Sequence, residues 1–337
     1  MIELADLPPP PAGCSGWPWS EATPSLSSTL PDGSPWPRIS IVTPSYNQAA
    51  YIEETIRSVL LQGYPNLEYI IIDGGSTDGS VEIIRKYEPW LAFWISERDK
   101  GQSDAINKGW ARATGDILAW LNSDDYYMPG TFGRVAQVFH EVGLRVGLVH
   151  GLCGWVLPDG TISQYIGKPL NLVEMLPLAR SAVVQPSSFY RAQIVRQVSG
   201  LADDLHLSMD WDLFNRIAVQ SETVFKPENW ACMHYWPESK TFRSAQEAGF
   251  GPEMLKSIRR FYQLPNLPSS IQAVRRRALA AIAVRAAFGH YNARQYAEMQ
   301  KAFWYALCSH PIYALHRARR GSIYLWSGFF AKFFHTR

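Results

Sequence analysis

No stretch of this 337-residue chain approaches the ~18 consecutive apolar residues that a spanning helix needs, so no transmembrane segment is expected. The N-terminus, MIELADLPPPPAGCSGWPWS, has no basic region followed by an apolar core, so no secretory signal is expected either. Cysteine is scarce. The four residues Cys14, Cys153, Cys232 and Cys308 are widely spaced and form no CxxC, which offers neither a disulfide framework nor a thiolate metal site. That usage suits a reducing, cytoplasmic setting. Glycine is missing from the turn TPSYNQAA, where a dinucleotide fingerprint would need G-x-G-x-x-G, and no G-x-x-x-x-G-K-[ST] loop occurs anywhere. Dinucleotide and P-loop sites are thereby excluded. Acidic residues all but vanish late in the chain. After Glu253 only Glu298 remains, among fourteen lysines and arginines that run from Lys256 to Arg337. No recognisable nucleic-acid module accompanies this basic tail, so no nucleic-acid partner is expected.

What is present is a globular composition: 47% hydrophobic residues, with 13 Trp and 16 Tyr, enough to build a sizeable core. Residues 1–37 are rich in Pro, Ser and Gly and read as an extended or disordered leader. From Arg38 short β-branched runs alternate with helical spacing. RISIVTPSYN precedes AAYIEETIRSVLLQ, in which Ile52, Ile56, Val59 and Leu60 share a face. LEYIIIDGGS, LAFWISERD and GDILAWLNSDD are further strands separated by TDGSVEIIRKYE and GQSDAINKGWARAT. This alternation predicts an α/β fold, with βαβ units and a mainly parallel sheet flanked by helices. Then GLVHGLCGWVLPDGTISQYIG reads as a hairpin, SAVVQPSSFYR as a strand and MDWDLFNRIAVQ as a helix. The chain beyond about residue 252 reads as helical.

Parallel sheets place ligands beyond the carboxyl ends of their strands. Here those ends are Pro44–Asn47, Asp73–Ser76, Glu97–Asp99 and Asn122–Asp125, and three of them carry acids. In LAWLNSDDYYMPG the adjacent Asp124 and Asp125 would repel each other at a buried strand end. Mg²⁺ or Mn²⁺ takes one or two carboxylates together with substrate phosphates, and such a cation offsets the repulsion. A solvated Asp-Asp turn is the plainer alternative from the dipeptide alone.

In order and spacing, IVTPSYNQAAYIEETIRSVLLQ, IIDGGSTDGSVEIIRKY, SERDKGQSDAINKGWARATGDILAWLNSDDYYMPG, QPSSFYR, MDWDLFNRI and ESKT resemble the family 2 glycosyltransferases, inverting enzymes of GT-A fold. The resemblance covers about residues 38 to 245. It implies transfer of a sugar from a nucleotide-diphosphate-sugar donor to an acceptor hydroxyl, in cell-surface polysaccharide or glycolipid biosynthesis. UDP-sugars are favoured over GDP- or dTDP-sugars, and the acceptor is a glycan or a lipid-linked molecule. A non-catalytic nucleotide-sugar or glycan binder on the same fold is the alternative, which loss of Asp125 or Asp210 would have marked. By position, Pro44, Tyr46 and Asn47 would line the base and ribose pocket and Asp73 would lie beside the base. Asp125 would ligate Mn²⁺ or Mg²⁺, and Asp124 would contact ribose or reach the metal through water. Asp210 would deprotonate the acceptor, with Asp212 the nearby alternative and helix capping the competing role for Asp210. The expected domains are the leader 1–37, a catalytic domain 38–250 (nucleotide-binding half 38–130, acceptor half 131–250) and a basic helical region 251–337.

Two departures stand out. The family's D-D-G-S is D-G-G-S here, with Gly74 in the place of the second acid; Asp104 either fills in or is a helix-end charge favoured by the macrodipole. His234 either reaches the pyrophosphate or is a core or surface histidine. The tail also has two readings. Its arginines beside Tyr324, Leu325, Trp326, Phe329, Phe330, Phe333 and Phe334 suit peripheral contact with an anionic membrane at the inner face of the cytoplasmic membrane. Alternatively these aromatics pack the helices, with the arginines facing water.

Overall fold

A computed structural model of the chain describes residues 2–234, 240 and 249–319. Most of ESKT and the whole aromatic cluster 324–334 lie outside these residues. The described chain forms two compact units. One comprises Met1–Pro169, Val183–Asp203 and Gln220–Tyr235; the other comprises Leu170–Ala182, Asp204–Val219 and Trp236–Arg337.

The first unit is built on strands β1 (Ile39–Ser45), β2 (Leu67–Asp73), β3 (Phe93–Ser96), β4 (Ile117–Trp120), β5 (Asp125–Tyr127), β6 (Val146–Val156), β7 (Ile162–Ile166), β8 (Ser188–Arg191) and β9 (Glu222–His234). They form one sheet in the order β3-β2-β1-β4-β8-β6-β9-β5, with β7 paired to β6. β1, β2, β3 and β4 run parallel; β8 is antiparallel to both β4 and β6. The expected hairpin is β6–β7. All seven residues of β1 are buried, as expected of a strand covered on both faces. Fully burying Ile39, Ile41 and Val42 contributes roughly 1.5–3 kcal/mol each. Register then fixes what matters for function. Ser45 pairs with Asp73, and Asp73 with Ser96, so the polar ends of β1, β2 and β3 fall side by side.

Helices α1 (Ile52–Leu60), α2 (Ser80–Lys86), α3 (Gln102–Arg112) and α4 (Thr131–Val142) follow the strands. In α1 the expected apolar face, Ile52, Ile56, Val59 and Leu60, is buried, but so are Thr55, Arg57 and Ser58. Arg57 explains a departure from the expected leader. Residues 2–37 are extended but packed, with Leu7, Leu30 and Trp36 in the core. The buried Arg57 guanidinium donates to the carbonyls of Pro8 (2.8 Å), Pro18 (3.1 Å) and Trp19 (2.9 Å). A segment whose only regular structure is a 3-10 turn at Leu4–Asp6 and one bridge between Thr29 and Pro35 must find partners for most of its carbonyls elsewhere, and one fork of donors provides three.

The second unit is helical: α5 (Leu172–Leu178), α7 (Met209–Ala218), α8 (Gly251–Phe261), α9 (Ser269–Asn292), α10 (Tyr296–Ser309) and α11 (Pro311–Arg319); α6 (Ala192–Gln197) belongs to the first. The expected boundary near residue 250 is therefore not where the units part. The cause is α9, whose alanines 278, 280, 281, 283, 286 and 287 are all buried. A helix apolar around so much of its circumference needs neighbours on several sides. α5, α8, α10 and α11 all pack against it. Some tail arginines turn inward rather than to water. Arg285 and Arg317 donate to the carbonyls of Ala179 (2.7 Å) and Leu178 (2.9 Å), at the C-terminal end of α5 where cations are favoured.

Candidate active site

Two groups of expected residues occur, one in each unit. In the first, Asp73 ends β2 fully buried. Its carboxylate accepts from Ser45 Oγ (2.9 Å), Ser76 Oγ (2.5 Å), Ser96 Oγ (2.7 Å), Ser76 N (2.8 Å) and Gly75 N (3.1 Å). It staples three strand ends and the D-G-G-S turn together. Asn47, in the left-handed region at φ 52°, accepts from Thr77 N (2.9 Å) and donates its own amide to Ser76 Oγ (2.8 Å). Pro44 is buried within β1, whereas Tyr46 next to it is 63% exposed. Asp104 sits in the first turn of α3. It accepts from Lys100 N (3.0 Å) and pairs with Lys108 (3.3 Å), and these contacts, the Lys100 amide foremost, hold its carboxyl below the usual range.

The acid pair follows β4. Asp124 is half-buried; Asp125 opens β5 and is 6% exposed. β5 is short but firmly held from several directions. It pairs with β9 at Met233, Cys232 and Ala231. From α1, Thr55 Oγ1 donates to Asp125 O (2.7 Å), and Ser58 Oγ accepts from Tyr127 N (3.1 Å). From the leader, Trp17 Nε1 donates to Tyr127 O (2.8 Å). His234 Nδ1 meets Asp124 O at 2.6 Å, with Nε2 3.5 Å from Glu54, so this histidine braces the acid-pair backbone. The Asp125 carboxylate itself accepts from Asn122 Nδ2 (3.1 Å), an amide shared with Gln185 Oε1 (3.1 Å). Burial pushes the Asp125 carboxyl well up and the charge of Asp124 pushes it further, against only the Asn122 amide and the His234 backbone amide. A buried carboxylate so poorly compensated is what a divalent cation would relieve. The donors are hard oxygens, as Mg²⁺ or Mn²⁺ prefers. Among the described residues no three His, Cys, Asp or Glu side chains come together as a full ligand set, so remaining oxygens would come from a bound molecule.

In the second unit Asp210 and Asp212 occupy the first turn of α7. Asp210 takes part of the capping, since the amide it accepts from lies in that first turn. The Glu253 carboxylate, from α8, accepts from the amides of His206 (2.9 Å), Leu207 (2.7 Å) and Ser208 (3.0 Å) and so holds the segment that leads into α7. Asp212 is committed to Arg216 (2.7 Å) and Ser257 Oγ (2.6 Å). Asp210 accepts from Trp211 N (2.7 Å), and burial pushes its carboxyl up to about 6. A carboxylate titrating there is suited to take a proton near neutral pH. The supporting residues Thr55, Ser58, Asn122, Trp17 and Glu253 went unsingled in the sequence. Two of them left a trace: Asn122 as part of the strand end Asn122–Asp125, and Glu253 as the last acid before the basic tail.

The model of the family described as Glycosyl transferase family 2 matches residues 40–148. An uncharacterized glycosyltransferase of Mycobacterium tuberculosis is 32% identical over 190 residues, 56% of this chain and 71% of that relative. Among solved structures, S. aureus TarS residues 1–349 in complex with UDP-GlcNAc superimposes with a TM-score of 0.60 at 14% identity, over 84% of this chain and 92% of that one. A mannosyltransferase from Pyrobaculum calidifontis in complex with GDP-Man and Mn²⁺ gives 0.57 at 17% identity, over 94% and 91%. At such identities the structural likeness speaks to fold, and the fold is GT-A.

Proposed function

The chain belongs to glycosyltransferase family 2, and from that premise we propose that it transfers a sugar from a nucleoside-diphosphate donor to an acceptor hydroxyl in one displacement, with inversion at the anomeric carbon. The observation that carries this reading is Asp125: a buried carboxylate, raised by burial and by Asp124, at the carboxyl end of a parallel sheet. Asp125 and Asp124 would hold Mn²⁺ or Mg²⁺, which supplies positive charge to the leaving diphosphate. Tyr46 and Asn47 flank the base and ribose, with Pro44 and Asp73 supporting the turns that carry them. Asp210 takes the acceptor's O–H proton as that oxygen attacks the anomeric carbon, and the carbon–oxygen bond to phosphate breaks with its electron pair leaving on the diphosphate. The neighbours' complexes with UDP-GlcNAc and with GDP-Man and Mn²⁺ support a nucleotide-sugar donor and a divalent metal, with UDP favoured.

The acceptor is a glycan or lipid-linked hydroxyl compound, which fits polysaccharide or glycolipid assembly at the cytoplasmic membrane surface. No helix among the described residues is long and apolar enough to cross a membrane. Trp304, Ile312 and Leu315 are nevertheless exposed (68%, 78% and 49%) on α10 and α11, within the basic stretch that runs from Lys256 to Arg337, and this supports peripheral contact with anionic lipid. The central test is hydrolysis of a panel of nucleotide sugars with Mn²⁺. Release of UDP from a UDP-sugar, lost on chelation, is expected; no turnover of any donor, with or without acceptor, overturns the reading.

A further inference from the structure

The Asp125 carboxylate is oriented by neutral groups, the Asn122 side-chain amide (3.1 Å) and the backbone N–H of His234. Behind Asn122 stands Gln102. We propose that Gln102 is a positioning residue for the divalent cation: it fixes the Asn122 amide, which in turn aims the Asp125 carboxylate. This rests on the reading of Asp125 as a metal ligand.

Three side-chain amides form a chain beside Asp125. Gln102 Nε2 donates to Asn122 Oδ1 (2.7 Å). Asn122 Nδ2 donates to Asp125 Oδ2 (3.1 Å) and to Gln185 Oε1 (3.1 Å). Gln185 Nε2 donates to the carbonyl of Trp120, the last residue of β4 (2.7 Å). Both outer amides come from elements with a fixed backbone. Gln102 is the first residue of α3; Gln185 is 8% exposed and opens a 3-10 turn, Gln185–Ser187, that runs directly into β8. Each link of the chain has one polarity. With Oδ1 engaged by Gln102, Asn122 turns its NH₂ to Asp125. Reversed, it would set Oδ1 against two acceptors, Asp125 Oδ2 and Gln185 Oε1, and its NH₂ against that of Gln102. A carbonyl that accepts a hydrogen bond also makes the N–H across the same amide a stronger donor, so Gln102 strengthens a bond it does not touch.

The neutrality of these donors matters for a metal. Arg216 orients the Asp212 carboxylate and neutralises it as well. An amide holds the carboxylate in one rotamer and leaves its charge for a cation. Groups behind a metal ligand set its orientation and basicity in the same manner.

The test is titration of the full chain with Mn²⁺, with and without UDP, followed by the electron paramagnetic resonance signal of the free ion. Wild type, Gln102→Met, Asn122→Leu and the double variant are compared. The Kd for Mn²⁺ should rise roughly tenfold in Asn122→Leu and roughly threefold in Gln102→Met, which lies one link further from the carboxylate. In the double variant Gln102→Met should add nothing to Asn122→Leu, because its effect passes through that amide. The melting temperature of Gln102→Met and its affinity for UDP without metal should equal those of the wild type, which a purely structural glutamine would not allow. Asn122→Ser takes the place of Asn122→Leu in the cycle if the latter does not fold. Wild-type Mn²⁺ affinity in Gln102→Met overturns the proposal and leaves Asp125 as a metal ligand. So does a full additive loss in the double variant, or a loss matched by equally weakened UDP binding without metal. A wild type that binds no Mn²⁺ under either condition overturns both.

Discussion

Asp73 and Asp125 are the same residue type, both buried, both at ends of strands in one sheet. Asp73 accepts five hydrogen bonds; the side chain of Asp125 has two donors, the Asn122 amide and the His234 backbone amide, and a charged neighbour that repels it. The second unit repeats the contrast on one turn of helix. Asp212 is neutralised by Arg216 and Ser257, while Asp210 two residues earlier is left with a raised proton affinity. Burial alone therefore does not separate a structural carboxylate from a functional one. What separates them is whether the fold itself supplies the compensating donors or leaves them to a ligand.

Substitution should break each pair asymmetrically. The largest effect is expected for Asp210→Asn on turnover, a fall of roughly 10²–10⁴-fold with donor affinity within about twofold of wild type, since a base acts on the acceptor. Single-turnover kinetics beside calorimetry of UDP separates the two; near-normal turnover would move the role elsewhere. Asp73→Ala should act on stability instead. It strands several donors, at roughly 1–3 kcal/mol each where water cannot reach them, so a loss of about 3–5 kcal/mol is expected in urea unfolding. An unchanged midpoint would mean that water replaces the carboxylate. For Asp125→Ala the expectation reverses: little change in unfolding, and loss of the tenfold or greater gain in UDP affinity that Mn²⁺ confers. If the mutant keeps that gain, the metal is held by other residues.

These contrasts were unevenly legible in the sequence. The first four strands and the helices between them followed from short β-branched runs and 3.6-residue spacing, which are local signals. β5 did not. Asp125 read as the end of the strand GDILAWLNSDD, and Asp125–Tyr127 forms a strand of its own because β9 supplies partners more than a hundred residues later. Within MDWDLF only the resemblance favours Asp210 over Asp212; the partners that separate the two physically are Arg216, one turn on, and Ser257, which arrives on another helix. The leader misled by composition. Its Pro, Ser and Gly content read as extended or disordered; it is ordered because Arg57 binds its carbonyls, Trp17 bonds to Tyr127 O and Trp36 packs in the core. Asp73 could have been read more closely, since an Asp followed by Gly-Gly-Ser invites the local side-chain-to-backbone bonds that it makes.

The smallest expected effect is also the most discriminating between the two α7 aspartates, because it has opposite signs. Asp210 titrates near 6 in the folded chain against 3.8 for an ordinary aspartate, about two units, or about 3 kcal/mol for a group wholly out of water. Being only half-buried, it should cost about 1–2 kcal/mol. A raised folded value means that the protonated form is favoured by folding. This contribution is therefore fully present below pH 3.8 and is lost as pH rises through about 6. Asp210→Asn, which never ionises, should match the wild type at pH 3.5 and exceed it by about 1–2 kcal/mol at pH 7.5, provided both fold reversibly. Asp212→Asn should instead lose stability at pH 7.5, by roughly 2–4 kcal/mol, because it leaves Arg216 facing a neutral amide at a site largely out of water. Urea unfolding of the three proteins at the two pH values measures both. If Asp210→Asn is the less stable variant at pH 7.5, the carboxylate of Asp210 is as well compensated as that of Asp212, and its assignment as the proton acceptor loses its physical basis.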